Sequence, residues 1–282
     1  MSEKLHATAL DWALDQRDPQ VIRSFMPFWE WLYRYYFRVQ TSGWHHIPPT
    51  GTVMLVGSHN GGLVAPDMHM MMYDWFRYFG ADRPAYGLMH PYVWKALPPL
   101  ATLAEKMGAI VAHPKMAVAA LRRGASVLVY PGGATDVFRP HALRQQICLN
   151  QNQAFIKLAL RHRVPIIPLV SHGAHDTLIV LADVYDQMKQ LHQWGMPWLL
   201  DLDPQVFPLY LGLPWGVGIG PLPNLPFPVQ IHTRVCPPIV FEHYGQKAAH
   251  DRRYVQTCYD QVVTQMQQEL DQLISSIEKQ KQ

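Results

Sequence analysis

The stretch "LPPLATLAEKMGAIVAHPKMAVAALRRGASVLVYPGG", residues 97–133, changes structural period several times within one short span. Apolar residues recur at helical spacing through Lys106, a short β-rich run "AIVA" follows, a second helical pattern comes next, and "SVLVY" closes as a strong strand. Strands alternating with helices at this spacing predict a mainly parallel sheet covered by helices.

The same rhythm extends both ways. Upstream, "TGTVMLVGSH" (residues 50–59) reads as a turn and a buried strand, Val53 to Gly57, and a helix is expected from Asp67 to Tyr78 with Pro66 and Asp67 as its start signal. Downstream, "NQAFIKLALRHRVPIIPLVSHG" (residues 152–173) gives a helix ending in basic residues and then a β-rich run around Pro165 and Pro168. "VQIHTRVCPPIVF" (residues 229–241) reads as a final strand. Beyond Asp251, Val255, Cys258, Val262, Met266, Leu270, Leu273 and Ile277 mark one face of a long Gln-rich helix. The expected class is therefore α/β, a mainly parallel sheet flanked by helices, with an aromatic amphipathic helix before it and a helix after it. The divisions fall at 1–44, 45–245 and 246–282.

Two regions depart from that rhythm. Residues 21–40, "VIRSFMPFWEWLYRYYFRVQ", crowd aromatics beside arginines, and Phe25, Trp29, Leu32, Tyr36 and Val39 share a helical face. A helix packed on the core and a helix lying in a membrane interface have this same pattern. Residues 194–228 are dense in Pro, Gly and large apolar groups; the prolines forbid a long helix, so a loop-rich apolar excursion is expected.

Composition bounds the function. The chain has 282 residues, of which 49% are apolar and only 16% charged, which suits a large core with some surface meant for an apolar partner. The formal charge of +3, with no Lys/Arg-rich run, argues against nucleic acid and is compatible with an anionic membrane surface. Three scattered cysteines favour a reducing, cytosolic setting over a disulfide framework. The N-terminal stretch "MSEKLHATALDWALDQRD" carries acids and no apolar h-region, so a signal peptide is not expected, and no apolar run reaches membrane-spanning length. The expected location is cytoplasmic, peripheral on a membrane.

Chemistry concentrates in "SHNGGLVAPD", Ser58 to Asp67. His59 lies just past a buried strand, at the edge where open α/β sheets place ligands, and imidazole is suited to proton transfer near neutral pH. A regular helix between them would separate His59 from Asp67 by roughly 12 Å. Gly61, Gly62 and Pro66 make that helix improbable, and a tight loop can fold Asp67 back onto the imidazole. The competing reading makes Asp67 only the N-cap of the next helix. In "LVYPGGATDVFRP" (residues 128–140), a strand runs into Gly132 and Gly133, whose bare amides suit an oxyanion or phosphate; Asp136 and Arg139 follow as an ion pair or as substrate contacts. "SHGAHD" offers His172, His175 and Asp176, which with His59 make an alternative metal set for a hydrolase. No G-x-S-x-G elbow, P-loop or dinucleotide fingerprint is present.

In this order the pieces resemble the glycerolipid acyltransferase family, the lysophosphatidate-acyltransferase-like enzymes, over roughly residues 45 to 240. "SHNGGLVAPD" looks like the family's H-x-x-x-x-D block, "YPGGA" (Tyr130 to Ala134) like its F-P-E-G-T/S block, and "VPIIPL" (Val164 to Leu169) like its V-P-[IVL]-[IV]-P block. "MGAIVAHP" stands where an arginine follows a short strand. The PGG variant and the later "LGLPWG" are similar to a branch acylating neutral lipids. The resemblance implies direct transfer of a fatty acyl group from acyl-CoA or acyl carrier protein to a lipid hydroxyl. His59 would be the base, Asp67 its partner and the Gly132–Gly133 amides the oxyanion site, with no metal or other cofactor required. Three departures bear on the acceptor and the pair. His59 and Asp67 stand eight apart rather than five, His113 or Lys115 replaces the arginine, and Gly132 replaces the glutamate. The missing side chains favour a neutral acceptor such as diacylglycerol, a long-chain alcohol or a quinol. Lysophosphatidate acylation and a non-catalytic lipid-binding scaffold are the alternatives.

Overall fold

The computed structural model describes residues 13–281 apart from 199–202, 215, 221 and 223, so the first twelve residues and parts of the 194–228 excursion lie outside the described residues. In chain order the main elements are α1 (Pro19–Trp31), β1 (Gln40–Ser42), β2 (Met54–Gly57), α2 (Pro66–Phe79), β3 (Ala85–Met89), α3 (Tyr92–Ala96), α4 (Pro98–Lys106), β4 (Ala109–Val111), α5 (Pro114–Arg122), β5 (Ser126–Val129), α6 (Gly133–Val137), α7 (Ala154–His162), β6 (Ile166–His172), β7 (Ile179–Asp183), α8 (Tyr185–Gln193), β8 (Pro208–Gly212), β9 (Gly216–Ile219), β10 (His232–Val235), α9 (Gln246–His250) and α10 (Arg252–Lys281).

Seven strands form the main sheet in the order β1-β10-β6-β2-β5-β3-β4. The run β6-β2-β5-β3-β4 is parallel throughout; β10 lies antiparallel to β6, and β1 pairs parallel with β10. Side chains alternate between two apolar layers. Met54, Val56, Val127, Ile166 and Val170 face the layer of α5, α7 and α10, whereas Leu55, Leu128, Ile167 and Leu169 face that of α1 and α2. Apolar residues on both faces are what a sheet covered on both sides requires.

The seven residues read as the inner face of the last helix are all buried against the first layer. Each such burial is worth about 1.5–3 kcal/mol relative to exposure.

The 1–44 division is not a structural break. Ile22 and Trp29 of α1 and Tyr33, Phe37 and Val39 beyond it are buried with Met70, Met71, Trp75 and Phe76 of α2, and β1 joins the main sheet. The face led by Trp29 therefore packs inward, and the opposite stripe, Phe28, Trp31 and Tyr35, is the exposed one. The 194–228 excursion also holds more order than its prolines suggested. β8 and β9 join β7 in a second, three-stranded antiparallel sheet over Val137 and Phe138. Pro208 opens a strand and Pro214 falls between strands, so neither removes a donor that a strand interior needs. No helix among the described residues is long and apolar enough to cross a membrane.

Candidate active site

β2 and β5 are neighbours in register, Val56 opposite Val129, so the loops leaving their carboxyl ends abut. That adjacency brings "SHNGGLVAPD" against "YPGGATDVFRP". After β2 the chain turns sharply, with Gly61 and Gly62 at φ 84° and 69°, a region costly for other residues. The turn returns Asp67 to His59 as α2 begins. Asp67 is in the first turn of α2 and not its N-cap, which is Ala65. His59 Nδ1 sits 3.4 Å from Asp67 Oδ2, and a carboxylate there also favours the positive end of the helix. The same Oδ2 accepts the Asn60 backbone N–H at 2.8 Å, while Oδ1 accepts the Met68 N–H at 2.8 Å. Asp67 is buried, and the His59 side chain is 18% exposed.

Asp136 and Arg139 lie beneath this loop as a buried ion pair, the first of the two readings open to them in the sequence. Asp136 is 0% and Arg139 4% exposed, and they pair at 2.6 Å. The Asp136 carboxylate accepts from Ser58 Oγ at 3.2 Å and from the His59 backbone N–H. Arg139 donates to the His59 carbonyl at 2.9 Å and to Asn60 Oδ1 at 2.7 Å. One guanidinium thus ties the loop after β2 to the loop after β5. Burial pushes the Asp136 carboxyl up to about 6 despite Arg139, the His59 N–H and the Ser58 hydroxyl, which pull it down. His175 supports Arg139 from the other side, its Nε2–H donating to the Arg139 carbonyl at 2.8 Å. Burial and then Arg139 push His175 down to about 3, which keeps it neutral.

Of the glycine pair, the Gly133 N–H donates to the Tyr130 carbonyl at 3.2 Å in a turn, so that amide is already engaged. Gly132 is buried, and a Cβ there would run into Asp136 and the Cys148 carbonyl oxygen, so its lack of a side chain answers to packing. His113, at the place of the family's arginine, caps α5, its Nδ1 accepting the Lys115 N–H at 3.2 Å. The metal set is dispersed: Asp176 Oδ1 lies 2.7 Å from His141 Nε2, His175 holds Arg139, and His172 lies beside His232. Among the described residues no group of three or more His, Cys, Asp or Glu side chains converges as metal ligands would.

Sequence reasoning missed Tyr130, Gly57 and Asn60. The Tyr130 ring stacks on the His59 imidazole, with centroids 4.4 Å apart. It fits because residue 57 has no Cβ, which would otherwise enter that ring. Burial pushes the Tyr130 phenol well above its usual range, with Asp67 and Asp136 adding to the effect. The available signal was a glycine ending one central strand opposite a large aromatic ending its neighbour.

Tyr130 also lines an apolar groove of about 250 Å³. Met54, Ala117, Val127 and Phe155 form its buried part, and the exposed His90, His113 and Asn152 line it as well.

A sheet whose central carboxyl edge carries a His–Asp pair beside an apolar groove has the parts of a lipid-modifying enzyme. Residues 112–280 match the family model described as diacylglycerol acyltransferase. The chain belongs to the diacylglycerol acyltransferase family. His59 and Asp67 lie before the matched residues, so their role rests on the geometry above.

The chain is 26% identical over 250 residues to uncharacterized proteins of Mycobacterium tuberculosis and Mycobacterium bovis, spanning 88% of this chain and 65% of theirs. An uncharacterized Mycobacterium leprae protein is similar at 26% identity. The chain thus spans about two-thirds of the length of these curated relatives, slightly less than that at 65%. Among solved structures it is similar to the 1-acyl-sn-glycerophosphate (LPA) acyltransferase PlsC from Thermotoga maritima. The TM-score is 0.48 and the identity 14%, over 86% of this chain and 78% of that one.

Proposed function

We propose that this chain is an O-acyltransferase moving a fatty acyl group from acyl-CoA or acyl carrier protein to the hydroxyl of a neutral lipid, working as a peripheral protein on a membrane. The observation that carries this reading is the His59–Asp67 pair, one aromatic ring away from an apolar groove. His59 Nε2 takes the proton of the acceptor hydroxyl, while Nδ1–H donates to Asp67, which holds the tautomer and stabilises the imidazolium. The acceptor oxygen bonds to the thioester carbonyl carbon, and collapse of the tetrahedral intermediate breaks the C–S bond. The sulfur leaves with the electron pair and takes the proton back from His59. A thiol pKa of about 8.5 makes it a fair leaving group. The groove beside Tyr130 takes the acyl chain.

A neutral acceptor is supported by the two positions where the resembled family carries phosphate-binding side chains. Residue 132 has no room for any side chain, and His113 is engaged as a helix cap. The test is transfer of labelled acyl groups in mixed micelles, with both donors and with diacylglycerol, a fatty alcohol, a quinol and lysophosphatidate as acceptors. The wild type is expected to acylate a neutral acceptor, His59→Ala to abolish transfer, and Asp67→Asn to lower kcat by about 10³–10⁴. Preference for lysophosphatidate would refute the neutral-acceptor reading. Bound lipid without transfer to any acceptor would favour the lipid-binding scaffold.

A further inference from the structure

The β7–β8–β9 sheet carries apolar side chains on both faces. Val180 and Tyr210 are buried on its inner side with Val137 and Phe138. On the other side the register sets Leu209 opposite Ile219 and Leu211 opposite both Val217 and Ile179. Val217 is 66% and Ile219 48% exposed there. An antiparallel sheet with one wet face ordinarily turns polar residues outward; none of these five positions is polar.

The surface continues beyond the sheet. Leu213 bridges to Leu225, which is also exposed, and the next carbonyl, that of Pro226, accepts from Tyr36 Oη at 2.6 Å. The Tyr36 ring packs on Trp31, within the outward aromatic stripe of α1. The His59 loop packs on the opposite, inner side of the sheet, where a Gly62 Cβ would run into the buried Leu178 and approach Asn224.

We propose that this face docks on a lipid bilayer, with the outer residues of β8 and β9 and Leu225 entering the acyl boundary and the aromatic stripe of α1 at the headgroup level. The inference rests on the acyltransferase reading for one point only, that the acceptor is a lipid resident in that bilayer. A bilayer fits better than a protein partner because the border of this face has a headgroup layer's chemistry: the exposed Phe28, Trp31 and Tyr35 stand beside the exposed Arg34, which pairs with Glu30, and Arg38, whose guanidinium donates to the Pro228 carbonyl.

The test is flotation with vesicles of phosphatidylcholine, alone and mixed with phosphatidylglycerol, using wild type, V217D/I219D and V240D. Val240 is a comparably exposed valine outside this face. Wild type and V240D are expected to float, and the double variant to bind about ten-fold less or weaker. Equal flotation of the double variant, or no flotation of the wild type on either vesicle, overturns the proposal. So does light scattering that finds a wild-type dimer which the double variant breaks, because the face would then belong to a second copy. Transfer to a water-soluble alcohol, measured in parallel, separates the two claims. Transfer without vesicle binding sinks the docking face alone, and face-dependent binding without transfer to any acceptor sinks the acyltransferase reading alone.

Discussion

Replacing Arg139 with methionine keeps an unbranched apolar stem and removes the charge and every hydrogen bond the side chain donates. Asp136 is then left fully buried with no cation. Even in the wild type its carboxyl stands at about 6 against a usual 3.8. At 1.36 kcal/mol per unit, holding that group ionised costs about 3 kcal/mol at neutral pH. Taking away the compensating guanidinium is expected to cost about 3–5 kcal/mol more, a large part of a typical total of roughly 5–15 kcal/mol. At about 2–4 °C per kcal/mol, Tm should fall by roughly 10 °C.

The sign with pH identifies the cause. A carboxyl raised in the folded state holds a proton that the unfolded chain has released, so stability falls as pH rises through that window. For the wild type the window closes near the Asp136 value of about 6. Without Arg139 that value rises further, so the window extends upward. The deficit of R139M relative to wild type should therefore grow from about pH 5.5 to about pH 8 in urea unfolding followed by circular dichroism. A deficit equal at both pH values would refute the buried-charge argument and leave only lost packing.

Other consequences follow from the same geometry. G57A drives a methyl group into the Tyr130 ring, at an expected cost of about 1–3 kcal/mol, and pushes that ring on His59; Tm and kcat should fall together, and unchanged kcat would show the stack to be incidental. G132E, which restores the resembled family's glutamate, is expected to yield misfolded protein and not a lysophosphatidate enzyme, because Asp136 and the Cys148 carbonyl occupy the space; a folded, phosphate-preferring variant would contradict this. A117L puts extra bulk into the buried part of the groove, so the preferred acyl chain should shorten in a competition among acyl-CoA lengths, and an unchanged preference would move the chain elsewhere.

The central strands were legible because the parallel sheet is buried on both faces, which leaves continuous apolar runs at Met54–Gly57, Ser126–Val129 and Ile166–His172. β3 was not, since Gly87 interrupts a short run between Pro84 and His90. β8 and β9 were hidden by prolines that fall at strand ends, a distinction only register makes visible. His59 could be found from its place after a strand. Asp67 could be proposed because two glycines allow a turn, although the chain has to fold before one knows that the turn closes. Arg139 was harder, because its partners at residues 59 and 60 come near only when β2 lies beside β5. The packing at Gly132 was hidden for a related reason: Asp136 and backbone from Cys148, which leave no room for a side chain there, close on it only in the fold.

The groove beside Tyr130 is bounded by Met54, Ala117, Val127 and Phe155, and these same side chains belong to the layer that joins the sheet to α5 and α7. On its buried side the groove shares its wall with the hydrophobic core. Lengthening the groove by truncating Phe155 is at once a core truncation, of the kind that costs about 3–5 kcal/mol. Drift in acyl preference along a lineage is therefore coupled to thermal tolerance. A descendant that accepts longer chains must carry repacking on the outer side of α7, so the record of a change in substrate would be written in residues that no substrate touches.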